Sequence, residues 1–182
     1  MFNSLVPMVI QNTPSGERAM DIYSMMLNER IIFVDGVVEN NMSKNICSQI
    51  LYLEQLNQKP ISLYINSPGG SVTDGLGIYN TMQYVKSPIH TIVIGQAASM
   101  GSFLAQAGEP GCRFILPEAR TMIHRVSSGT SGTSGSIHVQ NLEIEDTLAA
   151  LAEANRLNDR LTELYVKHNS AGKDSDFFHD AL

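Results

Sequence analysis

Three apolar runs rich in β-branched residues, Ile31-Ile32-Phe33-Val34, "ISLYIN" (61–66) and "IHTIVIG" (89–95), are separated by segments of helical period. From Ser43 onward, Ile46, Ile50, Leu51 and Leu53 share one side. From Val72 to Val85, Leu76, Tyr79, Met82 and Val85 fall in phase, and Pro88 stops the run. The short runs suit strands and the longer segments suit helices. Strands alternating with helices of this length imply parallel βαβ crossovers, hence an α/β fold. The pattern continues with a helix over Ala98 to Ala107, a short strand "RFILP" (113–117) and a strand "TMIHRV" (121–126). Asp35-Gly36 interrupts the first strand, which predicts a tight turn or bulge there.

A chain of 182 residues is expected to form one domain, 1–182, with a real core. Its 43% apolar and 16% charged residues exclude disordered and collagen-like classes. The net charge of −6, without a Lys/Arg-rich run, argues against a nucleic-acid partner. No apolar run approaches the roughly 20 residues of a membrane span, and Met1 to Gln11 lacks the basic start of a secretory signal. Cys47 and Cys112, far apart and without metal-like spacing, read as small core residues in a reducing compartment. The expectation is a soluble, cytoplasmic protein.

Ser127 to Ser136, "SSGTSGTSGS", is low in complexity and too short for a domain linker. The helix after it, 139–168, carries Leu142, Ile144, Leu148, Leu151, Leu161 and Leu164, and at 1.5 Å per residue would reach about 45 Å. That length suits packing on another subunit, although an ordinary core helix fits the pattern as well.

Candidate chemistry begins at "GQAASMGSF" (95–103), small residues and one serine directly after a buried strand. Ala97-Ala98-Ser99-Met100-Gly101 is an A-x-S-x-G form of the strand-to-helix elbow, a crowded turn that lifts a serine hydroxyl out of the sheet. The Met100 N–H, at the helix start, is a natural oxyanion donor. A plain helix-capping serine fits the same residues. A nucleophilic serine needs a base. His124 follows the elbow helix in "TMIHRV", in competition with His90, His138, His168 and His179. Ser67-Pro68-Gly69-Gly70 offers a second backbone turn whose glycine N–H faces the same point, or else a plain strand-ending loop.

These blocks, "LVPMVI" (5–10), "YINSPGGSVTDGLGIYNTMQ" (64–83), "GQAASMGSFLAQAG" (95–108) and "RFILPEARTMIH" (113–124), resemble the proteolytic subunit of the Clp protease. Their order and spacing match, and the resemblance covers nearly the whole chain. It implies a crotonase-like fold of repeated βαβ units with a long protruding handle helix at 139–168. Residues 1–20 would form the axial N-terminal segment. It also implies a serine endopeptidase with Ser99 as nucleophile and His124 as general base. Gly70 and Met100 would be the oxyanion-hole amides. An aspartate after the long helix would complete the triad: Asp180 fits the family spacing best, with Asp174 and Asp176 as the other choices.

The resemblance further implies two stacked heptameric rings enclosing a chamber for polypeptide substrates. No G-x-x-x-x-G-K-[ST] is present, so ATP would be used by a separate AAA+ unfoldase, with no cofactor or metal in this chain. Docking of that partner would fall on Tyr64, Tyr84, Ile92, Ile94 and Leu116, with Ser62 where the family carries an aromatic. The chain departs from the family in Arg125-Val126, where Gln-Pro is usual. It also stops at Leu182, where the family continues with a helix-strand segment. Two other functions share parts of this reading. A crotonase-type acyl-CoA enzyme has the same fold but needs no Ser-His pair. A scaffold subunit would assemble without cutting.

Overall fold

The computed structural model describes residues 6–13, 16–124, 143–169 and 171–181. The chain divides into two compact units, Met1–Met122 and Ile123–Leu182. In the first, β1 (Met8–Thr13) and β2 (Gly16–Asp21) form an antiparallel hairpin with Met8 opposite Asp21. Helix α1 (Ile22–Asn28) follows, its first turn capped by Asp21, whose Oδ1 accepts from the Ser24 N–H at 3.0 Å. The N-terminal segment was expected only as an axial element; the hairpin within it is a finding.

The sheet then builds in the expected order. β3 (Ile31–Val38), α2 (Asn40–Leu56), β4 (Ile61–Gly70), α3 (Val72–Tyr84), β5 (Ile89–Ala98), α4 (Met100–Gln106), β6 (Arg113–Ile115) and β7 (Arg120–Met122) succeed one another. The strands run parallel in the order β3-β4-β5-β6, and β7 pairs with β5 further along, at Gln96–Ala98. A strand order that advances in one direction with right-handed crossovers puts α2, α3 and α4 on the same face. That face is the core. Along β4 the residues Ile61, Leu63, Ile65 and Ser67 are buried and alternate with half-exposed neighbours. Ile46, Ile50 and Leu53 of α2 and Ile78, Tyr79 and Met82 of α3 are buried at helical spacing. The two helices are tied where the Ser43 hydroxyl donates to the Asp74 carbonyl at 2.9 Å. The opposite face carries a row of register partners, Phe33, Tyr64, Ile92 and Phe114.

Several boundaries differ from expectation. At β4, residues that favour turns are used in extended backbone. β4 runs through Ser67-Pro68-Gly69-Gly70 instead of stopping at Asn66, and Gly70 is paired with Val38. Pro68, which has no N–H, falls where the β3–β4 register skips from Asn66 to Gly69, so no ladder bond is lost. β5 continues to Ala98, α4 starts at Met100, and β6 ends at Ile115. β7 ends at Met122, so His124 lies beyond the strand expected to hold it. Cys47 and Cys112 are half-buried, not core residues.

The second unit contains α5 (Glu143–His168) and α6 (Ser175–Ala181). Leu161, Leu164 and Tyr165 of α5 are buried, and the Tyr165 ring stacks on Phe178 of α6 with centroids 5.6 Å apart. The Asp174 carboxylate accepts from the Phe177 N–H at 3.1 Å and so caps α6. The Gly/Ser-rich segment 127–136, His138 and the first residues expected in the long helix, 139–142, lie outside the described residues.

Candidate active site

Ser99 is delivered by β5. The strand closes with Ala97, fully buried opposite Ser67, and Ala98, 8% exposed. Ser99 then adopts φ 52° and ψ −124°. Among the described residues only Arg30 is another non-glycine residue with positive φ. Such backbone costs about 1–3 kcal/mol and persists only where the surroundings determine it. They do so here: the Ser99 N–H donates to the Met122 carbonyl at 2.8 Å. Its own carbonyl accepts from the Ser102 and Phe103 N–H groups at 3.0 and 3.2 Å and from the Ser102 hydroxyl at 2.7 Å.

The capping alternative raised by the sequence does not hold. Ser99 occupies the N-cap position of α4, yet its side chain makes no capping bond. A capping side chain requires an extended backbone, and φ 52° turns this one away. The hydroxyl is the projecting group of a sharp strand-to-helix turn.

The next residue contributes differently. The Met100 side chain is 2% exposed and packs on α3, where a Cβ added to Gly75 would sit 2.3 Å from Met100 Cε. What Met100 offers at the turn is therefore its backbone N–H. The β4 end lies directly against this elbow. A Cβ on Gly69, whose φ is +93°, would come 2.6 Å from Ser99 Cβ and 3.0 Å from the Met100 nitrogen. A Cβ on Gly70 would meet the Val38 carbonyl oxygen at 2.2 Å. Only glycines allow three backbones to converge here. The structure thus brings Gly69-Gly70 together with Ser99-Met100, within one compact unit.

His124 is exposed and belongs to the second unit, as does Asp180 in the last turn of α6. Asp174 is engaged as the α6 cap, and Asp176 is exposed in its first turn. Of the competing histidines, His90 sits nine residues before Ser99 on the same strand, about 30 Å away. His168 ends α5.

Of the proposed docking residues, Tyr64 and Ile92 are register partners on the open face of the sheet, and Ile94, 38% exposed, follows two residues along. Leu116 continues β6, its N–H donating to the Val93 carbonyl at 3.0 Å. Tyr84 stands apart at the end of α3, 80% exposed. A groove of about 1110 Å³ opens beside this row, lined by Tyr23, Met26, Phe33, Asp35, Asn66 and Ile94 among others.

Sequence reasoning missed the polar pair Asn66-Ser67. The Asn66 side chain donates to Asp35 Oδ1 at 2.9 Å and accepts from the Gln96 N–H at 3.2 Å. The Ser67 hydroxyl donates to the Gly36 carbonyl at 2.6 Å and accepts from the Gly69 N–H at 3.0 Å. Their position just before Pro-Gly-Gly, where ladder bonds fail, was the available signal. Set against known families, the chain matches the model described as Clp protease over residues 14–180.

Proposed function

The chain belongs to the Clp protease family, a family of serine peptidases, and from that membership we propose that it is an endopeptidase acting through Ser99, His124 and Asp180. The observation that carries this reading is the Ser99 backbone, strained at φ 52° on a strand-to-helix turn with Gly69 of β4 packed against it. Strain held at a serine whose side chain does not cap its helix is the arrangement an exposed nucleophile requires.

The chemistry is acyl transfer. Ser99 Oγ bonds to the peptide carbonyl carbon as its proton passes to His124, and the carbonyl oxygen becomes an oxyanion. The N–H groups of Gly70 and Met100 receive that charge. Collapse breaks the C–N bond, and His124 returns the proton to the leaving amine. Water then attacks the acyl-enzyme, with His124 again taking a proton, and releases the acid and free Ser99. Asp180 orients the imidazole and stabilises its charged form.

Chain connectivity supports His124. The Met122 carbonyl is hydrogen-bonded to the Ser99 N–H, and two residues cannot carry the His124 Cα more than about 7 Å from that of Met122. Asp180 rests on the family spacing together with the capping bond that engages Asp174.

Family membership also motivates the wider assignment. The peptidase works in two stacked heptameric rings on unfolded polypeptides in the cytoplasm, fed by a separate AAA+ ATPase. That partner docks on the open sheet face at Tyr64, Ile92, Ile94 and Leu116, and on Tyr84 at the end of α3. Helix α5, 26 residues long, serves as the handle between rings. Leu161 of that helix is already buried within the chain, so the inter-ring contact falls on other residues of α5.

Hydrolysis of a fluorogenic peptide tests the reading. Ser99→Ala is expected to lower kcat by on the order of 10⁵–10⁶, and Asp180→Asn by on the order of 10²–10⁴. Undiminished cleavage by Ser99→Ala would overturn the assignment.

A further inference from the structure

At the carboxyl end of β4 both neighbouring ladders lose register at once. Pairing with β3 passes from Asp35–Asn66 to Val37–Gly69, and pairing with β5 passes from Ile65–Val93 to Ser67–Ala97. Backbone groups skipped in this way need other partners, and side chains supply them. On the β5 side Asn66 accepts from the Gln96 N–H; on the β3 side Ser67 bridges Gly36 and Gly69.

Ser67 has the tighter setting. It is fully buried, and a Cβ added to Gly101 in α4 would lie 2.9 Å from its carbonyl oxygen and 3.1 Å from its Cβ. Its hydroxyl donates to one strand and accepts from the amide two residues along its own. That amide belongs to Gly69, which rests on Ser99, and the following residue is Gly70. The bridge therefore fixes the direction of the Gly69 peptide against the elbow, and with it the start of the Gly70 peptide that follows.

We propose that Ser67 is a positioning residue, whose hydroxyl, held between the Gly36 carbonyl and the Gly69 amide, aims the Gly70 N–H at the oxyanion formed on attack by Ser99. The inference rests on the serine-peptidase reading above. A donor displaced by about 1 Å can cost on the order of a hundredfold in rate. Positioning of this kind acts on the transition state more than on substrate binding, so it is expected in kcat and not in KM.

Ser87 provides the control. It too is buried, 2% exposed, and its hydroxyl donates to Glu54 at 2.6 Å, but it lies just before β5, at the opposite end from Ser99. Wild type, Ser67→Ala, Ser67→Cys and Ser87→Ala are compared for peptide hydrolysis, for the rate of fluorophosphonate labelling at Ser99, and for folded fraction by circular dichroism. Ser67→Ala is expected to lose about 10- to 100-fold in kcat and in labelling rate, with KM within about twofold of wild type. Ser67→Cys, keeping a weak donor in the same place, is expected to recover part of that loss. Ser87→Ala is expected to melt earlier with kcat per folded molecule unchanged. A wild-type kcat in Ser67→Ala overturns the proposal. So does a loss matched by the lost folded fraction, with the remaining folded enzyme turning over normally. A wild-type protein that neither cleaves nor labels overturns the peptidase reading itself, and is recognised without any Ser67 variant.

Discussion

At the amino ends of the parallel strands, long charged side chains close over exposed backbone groups. At the carboxyl ends, glycines, alanines and short hydroxyls let the backbones meet directly. Arg30, just before β3, donates through its guanidinium to the carbonyls of Leu53, Asn57, Lys59 and Pro60 and to the Ser87 hydroxyl. Glu54 accepts from the Lys86 and Ser87 N–H groups and from the Ser87 hydroxyl. The carboxyl end has instead Ala97, Ala98, Ser67 and Gly69-Gly70, with a strained Ser99 among them. Both of the described non-glycine residues with positive φ lie at these two ends, one at each. At Arg30 the unusual backbone lets one side chain reach four carbonyls; at Ser99 it leaves a hydroxyl outside the capping pattern. The first arrangement holds the fold, and the second aims chemistry.

Three substitutions probe that division. The largest effect is expected from Gly69→Ala, because the new Cβ would press on Ser99 Cβ, the Ala98 carbonyl and the Met100 nitrogen, at a residue with φ +93°. Loss of about 10²–10³ in kcat/KM is expected, with about 1–3 kcal/mol of stability. Activity equal to wild type would mean that the β4 loop and the elbow are not coupled.

Arg30→Ala is expected to remove about 1–3 kcal/mol from urea unfolding, since several carbonyls lose a charged donor, while kcat per folded molecule stays at the wild-type level. A fall in kcat without a fall in stability would break the comparison.

The smallest effect belongs to Glu54. The Ser87 hydroxyl, and after it the Ser87 and Lys86 N–H groups, hold its carboxyl below the ordinary glutamate value, against the opposing effect of desolvation. A depressed folded pKa stabilises above the unfolded value, about 4.3, and that contribution disappears as pH falls through the lower folded value. Glu54→Gln should therefore unfold earlier than wild type in urea at pH 7, and the gap should narrow as pH drops below about 4.3. A gap that is constant with pH would assign the effect to packing.

The contrast between the two ends also explains what the sequence could carry. The β-branched runs at Ile31–Val34, 61–66 and 89–95 and the helical phases between them marked the parallel sheet, because hydrophobic periodicity is local. The elbow around Ser99 was legible as a run of small residues after a buried strand. Its backbone angle was not, since nothing in Ala-Ala-Ser-Met-Gly distinguishes a cap from a strained turn. Pro68-Gly69-Gly70 read as a strand end because those residues favour turns; pairing with Val37 and Val38 overrode that preference. The Arg30 hub left no trace at all, for its partners are four main-chain carbonyls 23 to 30 residues away and the Ser87 hydroxyl, 57 residues away. Asp174, one of three aspartates in the tail, proved to be a helix cap, a local role that its position just before α6 makes intelligible afterward.

The central claim is that the strained serine at the end of β5 is the nucleophile. Labelling the intact protein with a fluorophosphonate and mapping the adduct by peptide mass spectrometry tests it most directly. The account predicts a single adduct on Ser99, absent in Ser99→Ala, with loss of peptide hydrolysis in proportion to labelling. An adduct on another serine, or full hydrolysis with Ser99 unmodified, would contradict it.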